Sequence, residues 1–98
     1  MFAPLRKNPE RLQAIERVNQ WTRARFSLPH EAAISVAEVS CSLTGCAPRE
    51  TVVMFWIAEQ RYQFKLFKSV AEVVIDDLPY TWLRDSLAVP EGIEYDCC

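Results

Sequence analysis

The 98-residue chain has only two glycines, Gly45 and Gly92, and one histidine, His30. Its longest unbroken apolar run is Val52 to Ala58. So few glycines leave no room for a phosphate-cradling loop or a dinucleotide fingerprint, and no nucleophile elbow or zinc-protease motif is present. The apolar run is far short of the roughly 20 residues that cross a bilayer. The N-terminus has Arg6 and Lys7 after a very short apolar stretch, which is not the layout of a secretory signal. The expectation is therefore a soluble cytoplasmic protein with no membrane association.

What is present is ordinary globular material. Half the residues are apolar, 24% are charged, and the net charge is −2. Aromatics make up 11%, which speaks against disorder. A chain of this length makes one domain, expected over 1–98 with residues 1–7 and 89–98 as less ordered termini.

Charge is uneven along the chain. Residues 1–26 carry six cations against Glu10 and Glu16, a net of +4, whereas the remainder carries five cations against eleven acids, a net of −6. A basic arm on an acidic body reads as a solvated helix face with some arginines paired to the body, or as an arm for nucleic acid or an acidic protein. Nucleic acid is the disfavoured partner, because the whole chain is acidic and no base-reading motif is visible.

A helix is expected from Asn8-Pro9-Glu10, with Leu12, Ile15, Val18 and Trp21 or Thr22 at helical spacing. It should run to about Phe26 and end at Ser27-Leu28-Pro29. Residues 33–41 alternate as a strand, and Thr44 to Pro48 form a loop in which Gly45 permits positive φ. Residues 51–58 read as a central or doubly covered strand, and Glu59-Gln60 as a turn. Residues 61–68 alternate again, with Tyr62, Phe64 and Leu66 facing the core. Residues 69–75 fit either a helical turn or a short strand. Asp76-Asp77-Leu78-Pro79 should then open a second helix with Leu78, Trp82 and Leu83 or Leu87 as its apolar stripe. The expected fold is α+β: a three-stranded antiparallel meander with an N-terminal and a C-terminal helix packed on one face. Trp21, Phe55, Ile57, Phe64, Leu66 and Trp82 are the expected core.

Four cysteines are the most chemically suggestive residues. Cys41 and Cys46 form a Cys-x4-Cys pair, and Cys97 and Cys98 end the sequence. Four thiolates suit a tetrahedral site for zinc or another thiophilic metal. The same residues also fit a redox pair or disulfide, or inert thiols acting as small hydrophobes.

The run from Ile34 to Thr51, with Cys41, Gly45, Cys46, Pro48, Glu50 and Thr51, resembles a small bacterial protein family. That family carries Cys-x4-Cys, then Pro-Pro, then Glu-Thr, and often ends in paired cysteines. Ala47 stands where the first proline would be. The resemblance implies no activity, so it assigns no functional residue.

Catalysis finds little support. Cysteine chemistry needs a base, and a strand over 33–41 would set His30 some 30 Å from Cys41. His30 reads as a surface loop residue, and Asp76-Asp77 as a helix cap. The sequence thus points to a small non-catalytic protein that binds a metal through cysteine thiolates. Its alternatives are a protein-interaction module using the basic helix or the aromatics around Trp56 and Phe67, and nucleic-acid binding through that helix. Another protein is the expected partner.

Overall fold

The computed structural model describes residues 9–40, 44–45 and 48–89. Helix α1 spans Pro9–Arg25. Its buried residues are Ala14, Val18 and Thr22, four apart and therefore on one face. Phe26 continues that line just past the helix. Leu12, expected on the stripe, is exposed. Two residues are about 200° of helical rotation, so Leu12 lies on the opposite side from Ala14.

The helix ends at Arg25, within one residue of the expected Phe26. Ser27 takes φ +53, Ser27 N–H donates to the Ala24 carbonyl, and Leu28 N–H donates to the Arg23 carbonyl at 2.9 Å. That is a Schellman-type cap, with a serine in the left-handed position that glycine usually holds.

Strands β1 (Ile34–Ser40), β2 (Arg49–Ile57) and β3 (Gln60–Leu66) form the antiparallel meander. A fourth strand, β4 (Ala88–Val89), pairs antiparallel with β3 and completes the sheet order β1-β2-β3-β4. Among the described residues the sheet therefore has four strands rather than the expected three, and Val89 belongs to it. Val36, Val53 and Phe64 lie side by side, as do Ile34, Phe55 and Tyr62. These rows meet Ala14, Val18, Phe26, Leu28, Val70, Val73 and Leu78 in one core cluster. Phe55 stacks between Phe26 at 5.0 Å and Tyr62 at 5.1 Å.

Register also sets the hairpin. With Phe55 opposite Tyr62 and Ile57 opposite Gln60, the turn falls on Ala58-Glu59, one residue before the expected Glu59-Gln60. Ala58 takes φ +56 there, because a two-residue hairpin needs positive φ to follow the strand twist.

Val70–Glu72 is a 3-10 turn, the helical alternative for residues 69–75, and the expected C-terminal α-helix is replaced by two more 3-10 segments, Ile75–Asp77 and Thr81–Leu87. Leu78 precedes Pro79 and takes extended backbone at ψ 146, and Tyr80 is extended at ψ 153. The pre-proline restriction thus breaks the helix where it should have begun. A 3-10 helix repeats every three residues, so Thr81, Arg84 and Leu87 align while Trp82 turns away. Trp82 is 77% exposed, contrary to its expected place in the core. Phe55 and Phe64 are buried, and Trp21, Ile57 and Leu66 pack partly buried around them.

Candidate functional site

All four expected ligands, Cys41, Cys46, Cys97 and Cys98, lie outside the described residues. The stems of the first pair are described. Ser40 and Arg49 are direct partners across β1 and β2, at the end of the sheet opposite the Ala58-Glu59 turn, and eight residues separate them in the sequence. Of the described residues between them, Thr44-Gly45 forms an exposed turn and Gly45 takes φ +91. A Cβ on Gly45 would meet nothing within 4 Å, so the backbone angle and not the space calls for glycine. No group of three or more His, Cys, Asp or Glu suited to a metal occurs among the described residues.

The same end of the sheet is charged. On the helix side, Glu38 Oε2 lies 3.5 Å from both Arg11 and Arg49, and its Oε1 accepts the Val70 N–H at 3.0 Å. One carboxylate thereby ties the helix, the start of β2 and the first 3-10 segment together. On the other side of the sheet, Glu50 is fully buried, and Lys65 Nζ is 3.7 Å from its Oε2. Neither Glu50 oxygen has a hydrogen-bond partner among the described residues. Sequence reading passed over Glu50, because an isolated glutamate beside a strand gives no sign of its burial.

The basic helix is committed to its own fold. Arg11 pairs with Glu38, the Arg17 guanidinium lies 5.9 Å from the Trp21 ring centre, and Arg23 donates to the Pro29 and His30 carbonyls. Arg25 donates to the carbonyls of Ile75, Leu78 and Pro79. Its own carbonyl accepts from the Thr81 hydroxyl at 2.9 Å. His30 is an exposed loop residue.

Those Arg25 contacts hold a surface feature that the sequence reading missed. Tyr80 and Trp82 stack with centroids 6.1 Å apart and planes within 10°. Tyr80 is 64% exposed, and Val74 and Ile75 are exposed on the same segment. The one sequence signal was Pro79, which holds Leu78 in extended backbone and so removes the helical spacing by which Trp82 was expected to be buried. Trp56, expected on such a surface, is half-buried, whereas Phe67 is exposed.

Asp77 closes the anchoring of this segment. Its Oδ2 accepts the Val74 N–H at 2.9 Å and a Lys68 ammonium hydrogen bond at 3.0 Å. These two contacts, the backbone one first, hold its carboxyl below the ordinary aspartate value against a smaller upward push from burial. It caps a short 3-10 turn rather than the α-helix expected there. No helix among the described residues is long and apolar enough to cross a membrane. Comparison with family models, with curated proteins and with solved structures finds no match to this chain.

Proposed function

We propose that this chain is a non-catalytic protein-interaction module that docks a partner protein on the Tyr80–Trp82 ridge. The observation that carries this reading is the stacked pair, 64% and 77% exposed, on a backbone bolted to α1 by Arg25 and Thr81. Exposed aromatics are the commonest anchors of protein interfaces, and a pre-ordered anchor loses little freedom on binding. Asp85 on the same stretch is paired with the exposed Arg84 at 3.6 Å, so the partner presents chiefly an apolar patch to the ridge. The engagement of Arg11, Arg17, Arg23 and Arg25 within the fold supports a protein partner over a nucleic acid.

Partner capture by the parent chain, compared with Trp82→Ser and Leu12→Ser, tests the reading. Both substituted side chains are exposed, so both variants should melt close to the parent. A partner retained by the parent and Leu12→Ser but lost by Trp82→Ser supports the ridge. Equal capture by all three proteins, or capture by none, overturns it.

The second reading is thiolate metal binding by Cys41, Cys46, Cys97 and Cys98, with zinc or another thiophilic metal as the ligand. What supports it is the Cys-x4-Cys spacing, which falls within the eight residues of sequence between the paired Ser40 and Arg49. Protein made under reducing, metal-replete conditions should then hold close to one equivalent of metal. Cys41→Ser or Cys46→Ser should lower that content. Less than about a tenth of an equivalent in the parent overturns it.

A further inference from the structure

The two edges of the sheet differ. At one edge β4 is two residues long among the described residues, and the Gln60 side-chain amide donates to its Val89 carbonyl at 3.0 Å. At the other edge β1 runs seven residues, with no proline and an unbroken register against β2. Proteins commonly blunt an exposed edge with a proline, a bulge or an exposed charge. β1 has none of these. Its one charge, Glu38, is turned to the helix side and held by Arg11, Arg49 and the Val70 N–H.

The hydrogen-bond ladder shows which backbone groups face outward. The Trp56 N–H donates to the Ala33 carbonyl and Ile34 stands opposite Phe55, so the ladder to β2 uses Ala33, Ser35, Ala37 and Val39. The N–H and C=O groups of Ile34, Val36, Glu38 and Ser40 therefore point away from β2. No described element pairs with them. Beside this edge an open groove of about 550 Å³ lies between α1 and the segment leading into β1, with Leu12, Ile15, Asn19 and His30 in its lining. Leu12 is exposed there.

We infer that β1 pairs antiparallel with β1 of a second copy of this chain, about a two-fold axis at Ala37, so that the two sheets become one. The strand is self-complementary in this register. With Ala37 opposite Ala37, Val36 faces Glu38 and Ile34 faces Ser40, so every outward residue meets an outward residue and the whole strand takes part. An axis at Glu38 would set two carboxylates face to face, and an axis at Val36 would pair only residues 34–38. Ser35 and Ala37 are small and exposed on the face away from the helix, so no bulk holds the strands apart. The Arg11–Glu38 pair places the start of α1 level with the end of β1, so the same axis brings the two Leu12 flanks together. A strand of another protein could satisfy the same backbone groups, but the matched length and the offset of Glu38 favour a copy of β1. The Tyr80–Trp82 ridge belongs to the segment that leads into β4 at the opposite edge, so this pairing leaves it free. One strand edge with one helix flank is a small interface, and the dimer is accordingly weak and concentration-dependent.

Sedimentation of the full chain should shift from monomer to dimer between micromolar and millimolar concentration. Ala37 is exposed, so Ala37→Lys and Ala37→Glu should both melt close to the parent. Each alone should weaken self-association about fivefold by opposing like charges on the axis, and an equimolar mixture of the two should restore it. The outward amides of Val36 and Glu38 should exchange more slowly in concentrated than in dilute protein, whereas Ala37, bonded to β2, should be protected in both. A parent that stays monomeric at millimolar concentration, leaving the edge to another protein, would overturn the inference. So would dimers that Ala37→Lys leaves as strong as the parent's, or Val36 and Glu38 amides equally protected in dilute protein, where the chain itself covers the edge.

Discussion

Arg25 Nη1 donates to the Leu78 carbonyl at 3.1 Å across a separation of 53 residues. The same nitrogen reaches the Pro79 carbonyl at 2.9 Å, and Nη2 reaches Ile75. A planar guanidinium reaches these three carbonyls from two separate nitrogens in a fixed fork, whereas a lysine offers all its donors from one nitrogen. Hydrogen bonds from a charged donor are worth roughly 1.5–3 kcal/mol each, less where solvent competes. Arg25→Ala should therefore cost about 2 kcal/mol in urea unfolding, and Arg25→Lys nearly as much. Amide exchange at residues 78–82 should accelerate in both variants. Unchanged exchange there would mean that the ridge is held by its apolar contacts alone.

Asp77 makes stability sensitive to acid. Its folded carboxyl sits below the ordinary value of 3.8, so its contribution is complete above that value. The contribution is lost as pH falls through the lowered folded value, because the unfolded chain then binds a proton that the folded chain resists. Urea midpoints measured from pH 6 to pH 2 should fall more steeply for the parent than for Asp77→Asn. Parallel profiles would show that Asp77 is not a source of the acid dependence.

Among the described residues, two that are not glycine hold positive φ, Ser27 at +53 and Ala58 at +56. A side chain there costs roughly 1–2 kcal/mol, and glycine returns about 0.5–1 kcal/mol of that in lost chain entropy. Ser27→Gly and Ala58→Gly should each stabilise by about 0.5–1 kcal/mol, raising the melting temperature a few degrees. Either variant melting below the parent would show that the side chain makes a compensating contact.

Fully buried Glu50 faces half-buried Lys65 at 3.7 Å. Removing one partner of a buried pair leaves an uncompensated charge and typically costs about 3–5 kcal/mol. Lys65→Met should show a loss of that order, reduced because Lys65 is not fully buried. Lys65→Met combined with Glu50→Leu should recover most of it, since a well-packed apolar pair does as well as a buried ion pair. Equal destabilisation of the single and double variants would show that the two side chains act independently.

Alternation in residues 34–40 and 60–66 was legible from side-chain chemistry alone, because a half-buried strand must present apolar groups every second residue. The same holds for α1, whose proline start and helical spacing mark the element, although the buried stripe proved to be Ala14, Val18 and Thr22 rather than one containing Leu12. Local rules thus determined the antiparallel meander, the first helix and the positive φ of Gly45. What local rules could not reach depends on contacts between distant residues. Trp82 has the composition of a core residue, and only the 3-10 path imposed by Pro79 and clamped by Arg25 turns it to solvent. Glu50 has the composition of a surface residue, and only its tertiary surroundings, Lys65 at 3.7 Å among them, bury it. The turn at Ala58-Glu59 was likewise decided by the register of Phe55 against Tyr62, since aromatic stacking in the core outweighs the turn preference of any single residue. Periodicity settles which residues share a face of an element. Tertiary packing settles which faces meet, and so which side chains remain at the surface to bind something else.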